Sequence, residues 1–220
     1  MSDNNKKPEI FVRRRSIGRI PLIILHTFDG EGSAIFDKCS ETDCGDFTLA
    51  AIGGIDWKRD LSPWETPSIG GNKYNFGGAD GYIERLTGTI LPEILAGLDE
   101  EPAFTAIAGY SLAGLFALYA AYKTDVFSRI ASISGSLWFP GFTEFAESNR
   151  FVKKPEKIYL SLGDTEAKTR DKNLSTVRRN TEKLAGLWQN EGIAAKFELN
   201  PGNHFSDIPQ RIAKGIKFIL

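Results

Sequence analysis

Short apolar runs alternate with amphipathic stretches along most of the chain, and the alternation predicts a succession of strands and helices. Residues 20–28 (Ile-Pro-Leu-Ile-Ile-Leu-His-Thr-Phe) and 47–52 read as strands, with an edge strand before them near residues 10–15. Residues 103–108 (Ala-Phe-Thr-Ala-Ile-Ala) are nearly all apolar, as suits a parallel strand covered on both faces. Further strands are expected at 129–134, 157–162 and 195–199. Residues 79–98 place Ile83, Leu86, Ile90, Ile94 and Leu98 on one side of a helix that Pro92 should bend or restart. Residues 112–122, rich in Ala, Leu and Phe, suit a helix buried on most sides, and further helices are expected at 142–149, 176–190 and 208–220. A long Gly/Pro-rich connection at 55–78 carries Trp57 and Trp64, and loops of that length are uncommon unless they cover something. The pattern predicts an α/β fold, a mainly parallel sheet with helices on both faces, whose sites form at the carboxyl ends of the strands.

Composition narrows this to one domain. The chain has 220 residues, 41% hydrophobic and 25% charged, enough for a well-buried core without staples, and residues 1–9 read as a flexible tail. A net charge of -1 supplies no overall field for nucleic acid or an anionic membrane, and Arg13, Arg14, Arg15 and Arg19 read as a solvated edge strand. Cys39 and Cys44 fall in what reads as a polar loop, without the further Cys or His that a structural zinc site needs. The first ten residues are polar, and no apolar segment reaches the length of a membrane span. A soluble, cytoplasmic protein with reduced thiols is expected, its oligomeric state open.

The chemistry centres on Gly109-Tyr110-Ser111-Leu112-Ala113-Gly114, between the apolar strand and the Ala-rich helix. A strand running into a helix through Gly-x-Ser-x-small turns so tightly that the serine is held in a strained conformation with its hydroxyl above the sheet edge. The plain alternative is a serine capping an ordinary strand-to-helix turn. A serine nucleophile needs an imidazole to take its proton, and the chain has only His26 and His204. His204, in the turn-rich loop Pro201-Gly202-Asn203-His204-Phe205 after the last strand, is the candidate base; His26, inside an apolar strand, reads as a core or supporting histidine. An acid that orients the histidine should follow the strand at 157–162, where Gly163-Asp164-Thr165-Glu166 offers Glu166, with Asp164 in reserve. Backbone amides would hold the oxyanion: Leu112 just after the serine, and Glu31 in Asp29-Gly30-Glu31-Gly32, with Asp29 or Gly30 as alternatives.

From about residue 20 onward the chain resembles the esterase D-like group of α/β-hydrolases, which includes siderophore trilactone esterases, feruloyl esterases and mycolyltransferases. The resemblance is carried by Ala51-Ile52-Gly53-Gly54 through Lys58-Arg59-Asp60-Leu61-Ser62-Pro63, by Gly77-Gly78-Ala79-Asp80, by the serine elbow, by Ser134-Gly135-Ser136-Leu137-Trp138 and by Gly163-Asp164-Thr165-Glu166. It implies Ser111 as nucleophile, His204 as base and Glu166 as acid, Trp138 lining the substrate pocket, and Arg59 with Asp60 bracing the pocket loop as a further substrate-binding element. Ala113 departs from the pattern, standing where the second elbow glycine is usual. The implied function is hydrolysis of a small-molecule carboxylic ester through an acyl-enzyme, without cofactor or metal. An acyltransferase using the same site, and an idle fold used for binding, are the alternative readings.

Overall fold

A computed structural model describes residues 7–66, 69 and 76–220 of the chain. Among them a seven-stranded sheet runs in the order β1-β3-β2-β4-β5-β6-β7. Its members are β1 (Glu9–Arg14), β2 (Leu22–His26), β3 (Thr48–Gly53), β4 (Thr105–Tyr110), β5 (Arg129–Ile133), β6 (Lys157–Gly163) and β7 (Ala194–Asn200). Only β1 pairs antiparallel, with β3; the other pairings are parallel. The central strands are buried along nearly their whole length, which is why they read as apolar runs rather than alternating ones.

Helices cover both faces. On one lie α1 (Gly32–Glu41) and α8 (Ile208–Ile219), burying Ile35, Phe36, Ile212 and Ile216 against Ile23, Leu25 and Leu49. On the other, α5 (Leu112–Lys123) is buried from Leu112 to Tyr122, as its near-absence of polar residues demands. Beside it, α7 (Val177–Asn190) buries Val177, Thr181, Leu184, Ala185 and Trp188, one helical stripe. Short helices α2 (Trp57–Asp60) and α6 (Phe142–Ser148) complete the carboxyl edge.

Two expectations are corrected and one is met. The helix expected to bend or restart at Pro92 runs as α3 (Ala79–Arg85), a π turn (Leu86–Ile90) and α4 (Leu91–Ala96), which restarts with the proline in its first turn. The wide turn just ahead of the proline accommodates a residue that can neither donate to, nor fit against, the carbonyl four residues back. The segment holding Cys39 is helix α1 rather than a polar loop, and both thiols are buried and free. Gly32 lets α1 start hard against the sheet, since a Cβ there would lie 2.6 Å from the Ala51 methyl. The tail assigned to residues 1–9 lies outside the described residues as far as residue 6, and Glu9 already pairs with Gly53. Within the connection at 55–78, residues 67, 68 and 70–75 also lie outside the described residues. No helix among the described residues is long and apolar enough to cross a membrane.

Candidate active site

β4 delivers Ser111 at φ 59° and ψ −121°, a conformation L residues avoid and the neighbouring chain enforces. The Ser111 N–H donates to the Ile133 carbonyl, and its own carbonyl accepts from Gly114, Leu115 and Ser136. Gly109 is required, because a Cβ would stand 2.2 Å from the Ala113 carbonyl oxygen. Gly114 is also closely packed, with a Cβ there 2.9 Å from the Ser132 hydroxyl and 3.0 Å from the Gly135 Cα. Close approach therefore falls on Gly114, and the Ala113 methyl is buried without hindering the turn.

The histidine loop leaves β7 and folds back over the same edge. His204 Nε2 stands 3.0 Å from the Ser111 hydroxyl, and His204 Nδ1 is 2.8 Å from Glu166 Oε2. An ionised carboxylate can only accept, so Nδ1 carries the ring proton and leaves Nε2 free to take the serine's. Burial by itself pushes the Glu166 carboxyl up, but bonds from His204, the Gly163 N–H and the Ser134 hydroxyl outweigh it and hold the group below its ordinary value. Ser134 reaches Glu166 Oε1 at 2.8 Å from a backbone with φ 45°, a second strained serine just past the end of β5. Asp164 points elsewhere, its Oδ1 accepting the Gly202 N–H at 2.9 Å and so anchoring the histidine loop. Gly163 has no room for a side chain, since its Cβ would meet the Gly202 carbonyl at 2.3 Å.

Sequence reasoning missed Arg211, on α8 and only 1% exposed. Its guanidinium donates to Glu166 Oε1 at 3.2 Å, to the Ser134 hydroxyl at 3.3 Å, to the Tyr110 hydroxyl at 3.4 Å and to the Pro201 carbonyl at 2.9 Å. Tyr110 in turn donates to the His204 carbonyl at 2.6 Å. Arg211 thus ties Glu166, Tyr110 just before Ser111 and the histidine loop into one network. Its signal was an arginine on the buried stripe of a helix whose other members are Ile212, Ala213, Gly215, Ile216 and Ile219.

Above Ser111 opens a cleft of about 550 Å³. It is lined by Phe28, Ile35 and Trp57, by Phe205, Ile208, Pro209 and Ile212 at and beyond the histidine loop, and by His26, Thr27 and Tyr110 at the strand ends. Phe28 (64% exposed) and Phe205 (79% exposed) present unusually bare aromatic rings. His26, 2% exposed, meets the Tyr82 hydroxyl through Nε2 at 3.0 Å, and burial pushes its pKa down to about 3, so the ring is uncharged. Glu31 and Asp29 line this cleft; Trp138 and Arg59 do not. The Ser136 N–H is bonded to the Ser111 carbonyl, and two residues on Trp138 faces α7, lining a separate cavity of about 380 Å³ with Phe139, Arg179 and Lys183. The Arg59 carbonyl accepts the Gly78 N–H at 2.8 Å, which places this residue beneath the start of α3.

The fold and the motifs it assembles define the class of the α/β-hydrolases. The chain belongs to the family described as "Putative esterase", whose model matches residues 44–207, and this puts it among the carboxylic-ester hydrolases. It is similar to ferri-bacillibactin esterase BesA of Bacillus subtilis (strain 168), 28% identical over 217 residues, covering 94% of this chain and 70% of BesA. It is also similar to the uncharacterized protein YbbA of the same organism, 25% identical over 138 residues, covering 61% of this chain but only 55% of YbbA. Among solved structures, siderophore hydrolase EstA from Aspergillus nidulans superposes with a TM-score of 0.75 at 21% identity, over 96% of this chain and 89% of EstA. An IroE-like serine hydrolase from Shewanella oneidensis gives 0.77 at 17% identity, over 96% of this chain and 75% of that one. At such identities the structural likeness speaks for the fold.

Proposed function

We propose that this protein hydrolyses a small-molecule carboxylic ester through an acyl-enzyme formed on Ser111. The observation that carries the reading is the continuous Ser111–His204–Glu166 relay, with contacts of 3.0 and 2.8 Å, at the base of a cleft. His204 takes the serine proton as the hydroxyl attacks the carbonyl, returns it to the departing alcohol, and then activates the water that releases the acid. Glu166 holds the ring and balances the transient imidazolium. Protons and electron pairs balance across these side chains and one water.

The oxyanion falls to backbone N–H groups. Leu112, in the first turn of α5, has no carbonyl partner within its own helix. On the loop after β2, the Thr27 N–H is taken by the Ile52 carbonyl and the Asp29 N–H by the Glu31 carboxylate, which leaves Phe28, Gly30 and Glu31. His26 pairs with Gly109, and carrying that register two residues on sets Phe28 level with Ser111, so we assign the second donor to Phe28 ahead of Glu31. The names of BesA and EstA bring siderophore esters forward as one substrate class. The test is hydrolysis of p-nitrophenyl esters of increasing chain length by wild type and Ser111→Ala, with fluorophosphonate labelling of both. A folded wild type that neither labels at Ser111 nor turns over any ester would sink the reading.

A further inference from the structure

We propose that the Ser111 cleft selects esters whose cleft-filling half is apolar and carries no negative charge, and that Asp29 and Glu31 enforce the charge rule; this rests on the ester-hydrolase reading of Ser111. The walls are hydrocarbon and aromatic: Phe28 stands edge-on to Trp57 with ring centroids 5.4 Å apart, and Ile35, Ile208 and Ile212 also line the cleft. Charge is distributed asymmetrically. Among the described residues that line the cleft, the acidic side chains are those of Asp29 and Glu31, and no lysine or arginine joins them. His26 is held neutral by burial and supplies no compensating cation. The buried Arg211 guanidinium is engaged by Glu166 and the histidine loop.

An anion entering this cleft would lose hydration against apolar walls, find no cationic partner among the described residues and meet two like charges. A neutral aromatic or branched group would instead gain the burial of its surface. Arg179 and Lys183 line the separate cavity with Trp138 rather than this cleft, and Lys183 is paired with Glu147 at 2.7 Å.

Two matched ester series test this. One varies the acid half, p-nitrophenyl 4-carbamoylbenzoate against p-nitrophenyl 4-carboxybenzoate. The other varies the alcohol half, the benzoate ester of 4-hydroxybenzamide against that of 4-hydroxybenzoic acid. In at least one series kcat/KM should favour the neutral member by about tenfold or more at low salt, and the series affected names the half that fills the cleft. The double substitution Asp29→Asn with Glu31→Gln should shrink that ratio at least threefold, as should raising the salt concentration. Labelling by a neutral fluorophosphonate is run alongside. An enzyme that labels at Ser111 yet hydrolyses the anionic member as fast as the neutral one in both series would overturn the charge rule and leave the esterase reading standing. A ratio unmoved by the double substitution would remove Asp29 and Glu31 from it, and absence of labelling would remove the esterase reading and this proposal together.

Discussion

Replacing Arg211 by methionine removes a buried cation while keeping an unbranched apolar chain in its place. The guanidinium is 1% exposed and bonds the Pro201 carbonyl at 2.9 Å and Glu166 at 3.2 Å, so its loss strands a carbonyl and weakens the support of a buried carboxylate. Breaking a buried ion pair from one side costs about 3–5 kcal/mol, which for a domain of this size lowers Tm by roughly 6–20 °C. Function should suffer beyond that loss. Glu166 retains bonds from Ser134 and Gly163, but its carboxyl loses a neighbouring positive charge and its pKa rises. The acid limb of the kcat/KM profile should move upward in pH, and kcat should fall about 10- to 100-fold as the histidine loop loses its tie to α8. Thermal melts and pH profiles of wild type, Arg211→Met and Arg211→Lys measure this, with lysine keeping the charge but not the fork and falling in between. A methionine variant that melts within about 2 °C of wild type and keeps its acid limb, within assay error of about 0.2 pH units, would refute the clamp.

Four further outcomes follow from the geometry. Ser111→Ala should fold normally and lose at least about 10³-fold in ester hydrolysis, read by stopped assay beside circular dichroism. Glu166→Gln should cost about 10³- to 10⁴-fold in kcat, whereas Asp164→Asn, which only loosens the Gly202 anchor, should cost about tenfold or less. Gly163→Ala drives a methyl to 2.3 Å from the Gly202 carbonyl; the shifted loop should cost about 1–3 kcal/mol in urea denaturation and displace His204 enough to cut kcat at least about tenfold. His26 has a native pKa near 3 against an ordinary 6.5, so the unfolded chain takes up a proton that the native chain refuses as pH falls below 6.5. Stability should drop by about 2–3 kcal/mol between about pH 6.5 and 4.5, measured by urea midpoints, and His26→Gln should remove most of that slope.

Much of this molecule was legible in the order of its residues. A parallel strand buried on both faces must be continuously apolar, so residues 103–108 announced β4, and the small residues around Ser111 announced the turn that follows. With two histidines in the chain, elimination pointed to His204 as the partner of Ser111, and both carboxylates of Gly163-Asp164-Thr165-Glu166 were in view. Other features depend on distances between residues remote in sequence. Periodicity cannot tell a charged residue on a helix from a solvated one, so Arg211 became visible only when α8 packed over β5 and β6 and set its guanidinium beside Glu166. Glu166 and Asp164 are two residues apart and chemically alike; the path of the histidine loop gave one the imidazole and the other a backbone amide. Trp138 and Phe28 are likewise both aromatic residues near strand ends. The hydrogen bond from Ser136 to Ser111 directs Trp138 toward α7, while the parallel register of β2 with β4 brings Phe28 to the Ser111 cleft. Local pattern sets which segments are buried and where the backbone must turn, because those depend on neighbours in the chain; which side chains share a cleft, and with what charge around them, is decided by the packing of whole elements.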